Sequence, residues 1–493
     1  MFYSVQLPSP LLLLLPLLIV CIGLKCFYNI FLHPLRAFPG PLSARASILA
    51  YHRKILQGQT HQWVHGLHKQ YGPVVRIAPN ELSFNEPEVW RDVYGHRASS
   101  FQKAKVFYGP DIHGNPPGIL RADNASHARQ RKMISHAFSD KALRSQEQLL
   151  KGYAGLLVDK LKDVATGSLQ TNIVEWYNFT TFDIMADLTF GESLNQLTDS
   201  SYHPWVKAIF SHLKTLSISR VCRAWPGLTR LLRAMIPKEL KQRQKQHLDF
   251  SAGMIDKRMQ LKTERPDIWY LIARHSEEDG GLAPSEMHSN GALFMLAGTE
   301  TTATQLSGLT YLLLKNPDQM KRLVGELRSS FESFEDMTMT KLSQLEYLGA
   351  CIEEGLRLYP PVPVGIPRTV PTGGAVVCGQ WVPGGADVQA TVYAVHHAAN
   401  NFKDPDSFVP ERFLPEGKER YGNDHREALN PFSHGPRNCV GKNLAYHEMR
   451  LILASVLFHF DLELCDTKEE WLQQETHAVW DKKPLEVKLK AAH

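Results

Sequence analysis

The 493-residue sequence predicts a mainly α-helical fold with a small β portion, preceded by one membrane-spanning helix. Three observations support this prediction. The first 24 residues contain no charged side chain, residues 126–345 carry a largely helical pattern of apolar positions, and residues 360–440 are rich in proline and glycine around short apolar runs. Charged residues make up 21% of the chain, an ordinary value for a globular protein that argues against extensive disorder.

The N-terminal segment predicts a membrane anchor. About 20 apolar residues are enough to cross the ~30 Å hydrocarbon core of a bilayer. A cleaved signal peptide is the alternative, but that requires a positive residue before the apolar run, whereas Lys25 and Arg36 follow it. The positive-inside rule then places the rest of the chain on the cytosolic side. We therefore assign residues 1–25 to a single-pass transmembrane signal anchor.

Residues 26–42 are predicted to form a stiff hinge because three prolines, Pro34, Pro39 and Pro41, favour extended chain and stop a helix. Residues 43–493 show no linker or repeat and are assigned to one large domain. Within it, residues 71–84 predict a short β-hairpin and residues 289–316 a buried central helix, while Ala375 to Cys378 read as a strand.

Charge and cysteine content limit the function classes. The formal net charge of +5 comes without the dense Lys/Arg block of a nucleic-acid-binding arm, so we expect no nucleic-acid partner. It suits a protein that lies against an anionic membrane leaflet. Seven scattered cysteines, an odd number, do not form a disulfide framework, which favours a reducing compartment.

The segment from Phe432 to Gly441 is the richest in chemistry. Cys439 follows Arg437 by two residues, a charge that favours its thiolate form, and Gly435 and Gly441 let the backbone approach a flat, bulky group. A buried structural cysteine is the alternative. The absence of a second cysteine or histidine at zinc-ligand spacing, and of four clustered thiolates, disfavours zinc and iron–sulfur sites. One thiolate in a glycine-bracketed turn suits axial ligation of a haem iron.

This segment resembles the haem loop of cytochromes P450, F-x-x-G-x-R-x-C-x-G, at every fixed position. Further motifs follow the family's order: an oxygen-binding stretch, Ala297 to Thr302; E-x-x-R, Glu354 to Arg357; and P-E-R-F, Pro410 to Phe413. His127 and Arg131 stand where the family usually has W-x-x-x-R, with histidine replacing tryptophan, which puts one haem-propionate contact in doubt.

The resemblance implies a cytochrome P450 fold enclosing haem b, with residues 43–493 as the catalytic domain. Cys439 would be the axial ligand of the iron. The other residues implied to contact the cofactor are His127, Arg131, Ala297, Arg368, Phe432, Gly435, Arg437 and Gly441. Among them, Arg437, Arg131 and Arg368 are the candidate partners of the haem propionates.

Glu354 and Arg357 share one helix face at i, i+3, where an exposed pair contributes only ~0.2–0.5 kcal/mol, so the motif alone is nearly uninformative. Apolar neighbours favour a buried pair instead, which needs full partnering because stranding one buried charge costs ~3–5 kcal/mol. By resemblance, Arg412 is the third member. We assign the three residues a structural role.

In the central helix, Gly298 to Thr302 interrupt an apolar run with poor helix formers and a charge. Such conflicts between local and global preference often mark functional sites, although a satisfied threonine cluster in a helix kink is the alternative. Given the thiolate loop, Thr301 is the candidate residue that orients the hydrogen bond during oxygen activation. Glu300 is the candidate that relays protons from solvent.

The function implied is a haem-thiolate monooxygenase that inserts one atom of O2 into a lipophilic small molecule. No dinucleotide-binding G-x-G-x-x-G unit is visible, so electrons should come from NADPH through a separate cytochrome P450 reductase, with cytochrome b5 as a further partner. The implied location is the endoplasmic reticulum membrane. The resemblance extends to filamentous-fungal secondary-metabolism P450s such as the isotrichodermin C-15 hydroxylase-like group, which implies a terpenoid, polyketide or peptide-derived substrate and a mycotoxin-type pathway.

Two alternatives remain open at this stage. A P450-fold isomerase or dehydratase would use the same loop without external oxygen or reductase, and a haem sensor or binding protein would use it without turnover.

Overall fold

A computed structural model describes residues 10–96, 101–109, 117–167, 170–225, 227, 238–261, 264–274, 281–468 and 470–492. Within these ranges the chain is mainly helical with small β-sheets, as the sequence predicts. The helices are α1 (Pro10–Phe27), α2 (Leu42–Ala46), α3 (Leu49–Leu56), α4 (Thr60–Tyr71), α5 (Lys105–Tyr108), α6 (Asn124–Ser135), α7 (Asp140–Thr166), α8 (Ile173–Phe190), α9 (Gln196–Asp199), α10 (Pro204–Arg223), α11 (Lys238–Gln260), α12 (Ile268–Ala273), α13 (Pro284–Lys315), α14 (Pro317–Ser330), α15 (Met339–Ser343), α16 (Glu346–Leu358), α17 (Val392–His396), α18 (Lys418–Tyr421) and α19 (Lys442–His459).

The strands are short. They are β1 (Val74–Ala78), β2 (Glu81–Phe84), β3 (Gln102–Lys103), β4 (Gln170–Asn172), β5 (Arg368–Thr369), β6 (Ala375–Val377), β7 (Gln380–Val382), β8 (Asp387–Ala390), β9 (Phe460–Leu464), β10 (Thr476–His477), β11 (Val479–Trp480) and β12 (Glu486–Ala491). The largest sheet has the order β1-β2-β8-β5-β3, and the strands β4-β12-β9 form a second sheet. The hairpins β6–β7 and β10–β11 stand apart from both.

The hairpin predicted over residues 71–84 is confirmed. Strands β1 and β2 pair antiparallel, with Val74 opposite Phe84 and Arg76 opposite Leu82. Strand β2 then pairs parallel with β8, which lies about 300 residues later in the chain and joins the N-terminal segment to the proline-rich region. The strand expected at residues 375–378 ends one residue early because Cys378 lies in the turn, with a φ of 47°.

The described part of the chain holds no helix with the length and apolar character needed to span a bilayer. The segment predicted to be an extended hinge begins instead with the end of α1 and a π-helical turn, Tyr28–Leu32. It packs on the domain: Asn29 Nδ2 donates to the Ala46 carbonyl at 2.7 Å, and Arg76 N–H donates to the Pro39 carbonyl at 2.7 Å. The extended backbone at Pro39 thus supplies an acceptor to the neighbouring strand, and the role of residues 26–42 as a stiff hinge stays a prediction.

The central helix α13 organises the helical core. It is buried along most of its length and packs mainly against α8, with α16 and α19 on other sides. Close helix contact depends on glycine at Gly308, where a Cβ would lie 2.1 Å from the Tyr359 ring. The helix predicted over residues 289–316 is thus confirmed, and it starts one turn earlier, at Pro284, where proline suits a first helical turn.

Candidate active site

The loop before α19 presents the thiol of Cys439. The Cys439 N–H donates to the Phe432 carbonyl at 2.9 Å, and a short 3-10 turn, Gly435–Arg437, lies between these residues. The Cys439 side chain is exposed, yet protein surrounds it closely enough for burial to raise its pKa. A side chain that is both accessible and enclosed faces a recess inside the fold. The Cys439 sulfur is therefore accessible to a group bound in that recess.

Three groups oppose the effect of burial on this thiol. The Gly441 N–H hydrogen bond and the positive charges of Arg131 and Lys442 all lower the pKa of Cys439. The thiol also lies just before the N-terminus of α19, where the helix dipole favours a negative charge. These groups are suited to holding a thiolate.

Arg437, which the sequence suggested as the neighbouring charge for the thiol, has other partners. Its Nη2 donates to the Ala122 carbonyl at 2.8 Å and to Asn124 Oδ1 at 2.7 Å. Arg131 is the arginine whose charge lowers the pKa of Cys439. Its guanidinium donates to the carbonyl oxygen and Oδ1 of Asn438 at 2.6 and 2.8 Å. Arg131 therefore fastens α6 to the residue next to the thiol.

The two loop glycines differ in how closely protein packs on them. Gly435 has a φ of 70°, and a Cβ at this position would lie 2.1 Å from the Tyr94 carbonyl oxygen. At Gly441 a Cβ would meet only the Phe138 ring, at 3.9 Å. Phe432 packs on Tyr446 of α19 with ring centroids 5.2 Å apart. These residues set the position of the loop, and Gly435 is the one whose backbone conformation and close contact both require glycine.

Positive side chains gather on one side of this region. Burial, and then the charges of Arg368 and Arg437, lower the pKa of Lys103, whose ammonium donates to the Leu120 carbonyl. Burial and Arg368 also lower the pKa of Arg437 to about 10. His127 lies in the same group, where burial and the neighbouring cations lower its pKa to about 3. The histidine is therefore neutral and can act as a hydrogen-bond donor beside the cations.

Two guanidinium nitrogens of this cluster lack partners. Arg368 Nε and Arg437 Nη1 are buried and make no hydrogen bond within the described residues. Buried hydrogen-bond donors normally bind an acceptor, and a cluster of positive charges is stabilised by a bound anion. A haem with two propionates supplies both, so the residues present fit the cofactor that the thiol loop indicates.

Sequence reasoning missed Lys103 and Tyr108. Lys103 of β3 stands directly opposite Arg368 of β5 in the antiparallel register, and its Nζ lies 4.4 Å from the centroid of the Tyr108 ring. Residues 103 and 368 are far apart in sequence, so no local pattern links them. A lysine before a short aromatic helix was the one available signal, and it is too common to identify a site.

The central helix presents its short side chains at Ala297 and Thr301. Ala297 is exposed although the helix around it is largely buried, which shows that it too faces an internal space. The Thr301 hydroxyl donates to the Ala297 carbonyl at 2.6 Å, and Thr299 makes the same i−4 bond to Met295 at 2.5 Å. Gly298 lies tightly against Met185 of α8. The threonine hydroxyl is thus available to exchange its helix bond for a ligand.

Glu300 lies on another side of the same helix. Its carboxylate is buried and forms an ion pair with Lys482, whose Nζ also donates to Thr304 Oγ1 at 2.9 Å. Burial raises the pKa of Glu300, and Lys482 lowers it in opposition. Glu300 Oε2 is buried without a hydrogen bond in the described residues. The two residues predicted to move protons are adjacent in sequence but occupy different surroundings.

The three residues assigned a structural role lie together. Arg357 Nε and Nη2 donate to the Glu354 carboxylate at 2.7 and 2.8 Å, and Arg412 Nε donates to it at 3.1 Å. All three are buried, and Arg412 also forms an ion pair with Asp424 at 2.5 Å. The remaining guanidinium donors of Arg357 bind the carbonyls of His396, Pro405 and Ser407. The cluster ties α16 to the segment before the thiol loop.

Comparison with known proteins agrees with this geometry. Residues 37–489 match the family model described as Cytochrome P450. The cytochrome P450 monooxygenase efuB of Hormonema carpetanum is 46% identical over 472 residues, covering 94% of this chain and 93% of the relative. The monooxygenase FUM2 of Gibberella moniliformis is 43% identical over 471 residues, covering 94% and 99%. The monooxygenase tpeC of Talaromyces stipitatus is 41% identical over 508 residues, covering 99% of each chain.

The chain therefore belongs to the cytochrome P450 family. This confirms the fold class of its main body and the enzyme class predicted from the sequence, a haem-thiolate monooxygenase. The roles of the individual site residues stay predictions.

Proposed function

We propose that the protein is a membrane-anchored monooxygenase that inserts one oxygen atom into a lipophilic intermediate of a fungal secondary-metabolite pathway. One observation supports it above the others: the Cys439 thiol is accessible although protein encloses it, and the buried Arg368 Nε and Arg437 Nη1 have no hydrogen-bond partner among the described residues. The relatives are monooxygenases of filamentous fungi, which favours a terpenoid, polyketide or peptide-derived substrate and a mycotoxin-type pathway.

Haem b would be held at both its centre and its edge. The Cys439 thiolate would bind the iron, while Arg368, Arg437, Lys103 and neutral His127 would hold the propionates. When bound, the thiolate-ligated haem supplies activation of O2, with two electrons and two protons consumed and the second oxygen atom leaving as water. The protein must position the substrate, exclude bulk water and deliver those protons.

Proton delivery falls to Thr301 and Glu300 in this proposal. The Thr301 hydroxyl bonds the Ala297 carbonyl and can turn to donate into the internal space. Glu300 lies in a cavity of about 260 Å³ with Lys482, and this cavity is open to solvent on one side. A carboxylate between solvent and the hydroxyl is placed to pass protons across the helix. Burial raises the pKa of Glu300, and Lys482 opposes this rise and so favours the carboxylate form that can accept a proton.

The sequence shows no G-x-G-x-x-G nicotinamide-binding motif, which supports the supply of electrons by a separate protein. We infer that NADPH–cytochrome P450 reductase supplies the electrons, with cytochrome b5 as a further donor. Lys442, exposed at the start of α19 close to the thiol loop, is a suitable docking residue for an acidic partner. Residues 1–25 are proposed to anchor the protein in the endoplasmic reticulum membrane, with the catalytic domain in the cytosol.

The test compares microsomes from strains with and without the gene, each containing the reductase. We expect a metabolite that depends on the gene, NADPH and O2, and that carries one atom of labelled oxygen from ¹⁸O2. A product formed without NADPH and O2 would instead identify an isomerase or dehydratase. A haem-loaded protein with no gene-dependent metabolite change in the producing strain would support a haem sensor.

A further inference from the structure

The hairpin β10–β11 carries three metal-ligating side chains on one face. Glu475 and His477 are two residues apart, so both point to the same side of an extended strand. The Asp481 N–H donates to the Glu475 carbonyl at 2.9 Å, which extends the hairpin by one pair and places Asp481 opposite Glu475. One ligand atom from each of the three side chains lies within 4.8 Å of the others.

His477 is oriented for ligation. Its ring is buried, with 5% of the residue exposed, and Nδ1 lies 3.2 Å from Ser217 Oγ of α10. Its Nε2 is buried, makes no hydrogen bond in the described part of the chain and lies 3.5 Å from Glu475 Oε2. When Nδ1 carries the proton and donates to the serine, the Nε2 lone pair faces the two carboxylates. A metal-ligating histidine is usually held in this way through its second nitrogen.

Lys214 is the positive group that pairs with these two carboxylates in the structure. Lys214 Nζ lies 2.8 Å from Asp481 Oδ2 and 4.0 Å from Glu475 Oε2. Its side chain is 59% exposed, so it can swing into solvent at little cost. The carboxylates are about half exposed and can close the remaining distance to a shared ion. The site therefore binds positive charge, and Lys214 competes with any metal that enters.

We propose that Glu475, His477 and Asp481 form a binding site for a divalent transition-metal ion of the zinc class. One imidazole and two carboxylates are a suitable ligand set for Zn²⁺, with water in the fourth position, whereas Mg²⁺ and Ca²⁺ prefer oxygen ligands alone. The site borders the cavity that contains Lys482 and Glu300, and it requires neither haem nor substrate. Binding of the ion can therefore be measured without turnover.

The experiment titrates the haem-loaded full-length protein with Zn²⁺ against a chromophoric competitor at neutral pH. We expect the variants H477Q and D481N to weaken one site by about 10-fold or more. D481N changes an exposed side chain, so it keeps the test valid if H477Q disturbs the fold. K214M should bind Zn²⁺ more tightly, because the competing ammonium is gone.

The matched control is H425Q. His425 is an exposed histidine 3.1 Å from a carboxylate oxygen of Glu427, so it reports on adventitious binding by surface pairs. We expect it to leave the site unchanged. Equal Zn²⁺ affinity and stoichiometry in the native protein, H477Q and D481N would overturn the proposal, as would weaker binding in K214M.

Discussion

At the scale of single residues, Thr301 and Glu300 lie on different sides of the central helix and have different partners. The Thr301 hydroxyl bonds back to Ala297, next to an internal space, while the buried Glu300 forms its ion pair with Lys482 at the wall of the neighbouring cavity. A helix places consecutive side chains about 100° apart, so neighbouring residues can serve two compartments. This separation is what a proton path across a helix requires.

The variant T301A tests the hydroxyl. We expect NADPH oxidation to continue while the ratio of product to NADPH consumed falls by about 10-fold or more, because proton delivery is no longer directed. The measurement is the product-to-NADPH ratio together with released hydrogen peroxide. T299A serves as the control, since the Thr299 hydroxyl is buried and donates to the Met295 carbonyl. Unchanged coupling in T301A would remove the residue from the proposed path.

The variant K482M tests the charge on Glu300. Burial raises the pKa of Glu300 and Lys482 opposes it, so removing the lysine raises that pKa further. The carboxylate form is then reached only at higher pH. We expect the pH profile of product coupling to shift upward, measured with the same ratio between pH 6 and about 9. The neighbouring variant K483M, with the same loss of charge, should keep the native profile, and a shared shift in both variants would contradict the specific pairing.

The sequence predicts contacts best between residues that are close together in the chain. Glu354 and Arg357, three residues apart on one helix, form the expected ion pair. The more distant partners of the charged residues were not predicted. Lys482 lies 182 residues from Glu300, and Arg437 contacts Asn124 rather than the thiol two residues away. Such contacts depend on tertiary packing, which local sequence does not encode.

At the scale of elements, buried charge joins the segments around the site. Glu354 on α16 binds Arg357 of the same helix and Arg412 of the 3-10 turn Pro410–Phe413, and all three residues are buried. A buried pair of this kind adds little net stability, but its disruption is costly. The cluster therefore fixes the chain that leads into the thiol loop.

The variant E354Q should destabilise the fold by about 3–5 kcal/mol, because it removes the charge that pairs with the buried Arg357 and with one side of the Arg412 guanidinium. The measurement is the thermal unfolding midpoint together with the haem-loaded fraction after expression. D249N, which breaks the exposed pair of Lys245 and Asp249, should change stability by about 0.5 kcal/mol or less. Equal losses of stability in the two variants would show that the buried cluster contributes no more to stability than an exposed ion pair.

Glu448 connects α19 to the central helix. Its carboxyl is buried, accepts a hydrogen bond from the Thr302 hydroxyl, and has a pKa that burial raises to about 8. The native state thus keeps this proton at pH values where the unfolded chain has lost it. The resulting contribution to stability falls as pH rises from about 4.5 toward 8, by the linkage of proton binding and unfolding.

The variant E448Q should remove that dependence. Between pH 5 and about 8 the native protein is expected to lose thermal stability, and E448Q to lose less, because glutamine stays neutral throughout. Unfolding midpoints measured by circular dichroism across this range provide the test. E463Q, at an exposed position of β9, is the control and should follow the native curve. Parallel curves for the native protein and E448Q would contradict the raised pKa.

At the scale of the whole molecule, sequence patterns predicted the helical class, the hairpin at residues 71–84 and the central helix. They did not predict how residues 26–42 would lie, because proline favours an extended backbone without specifying whether another strand will pair with it. The five-stranded sheet β1-β2-β8-β5-β3 likewise depends on pairings between segments some 300 residues apart. That sheet brings Lys103 to Arg368 and so completes the cation cluster.

We propose that Cys439 is the thiolate ligand of a haem held by the surrounding cations. The most direct test of this ligation is the absorbance of the reduced, haem-loaded protein under carbon monoxide. We expect the red-shifted Soret band of a thiolate-ligated haem, and loss of that band in C439S under the same conditions. A folded, haem-loaded native protein without the shifted band would contradict the assignment of Cys439.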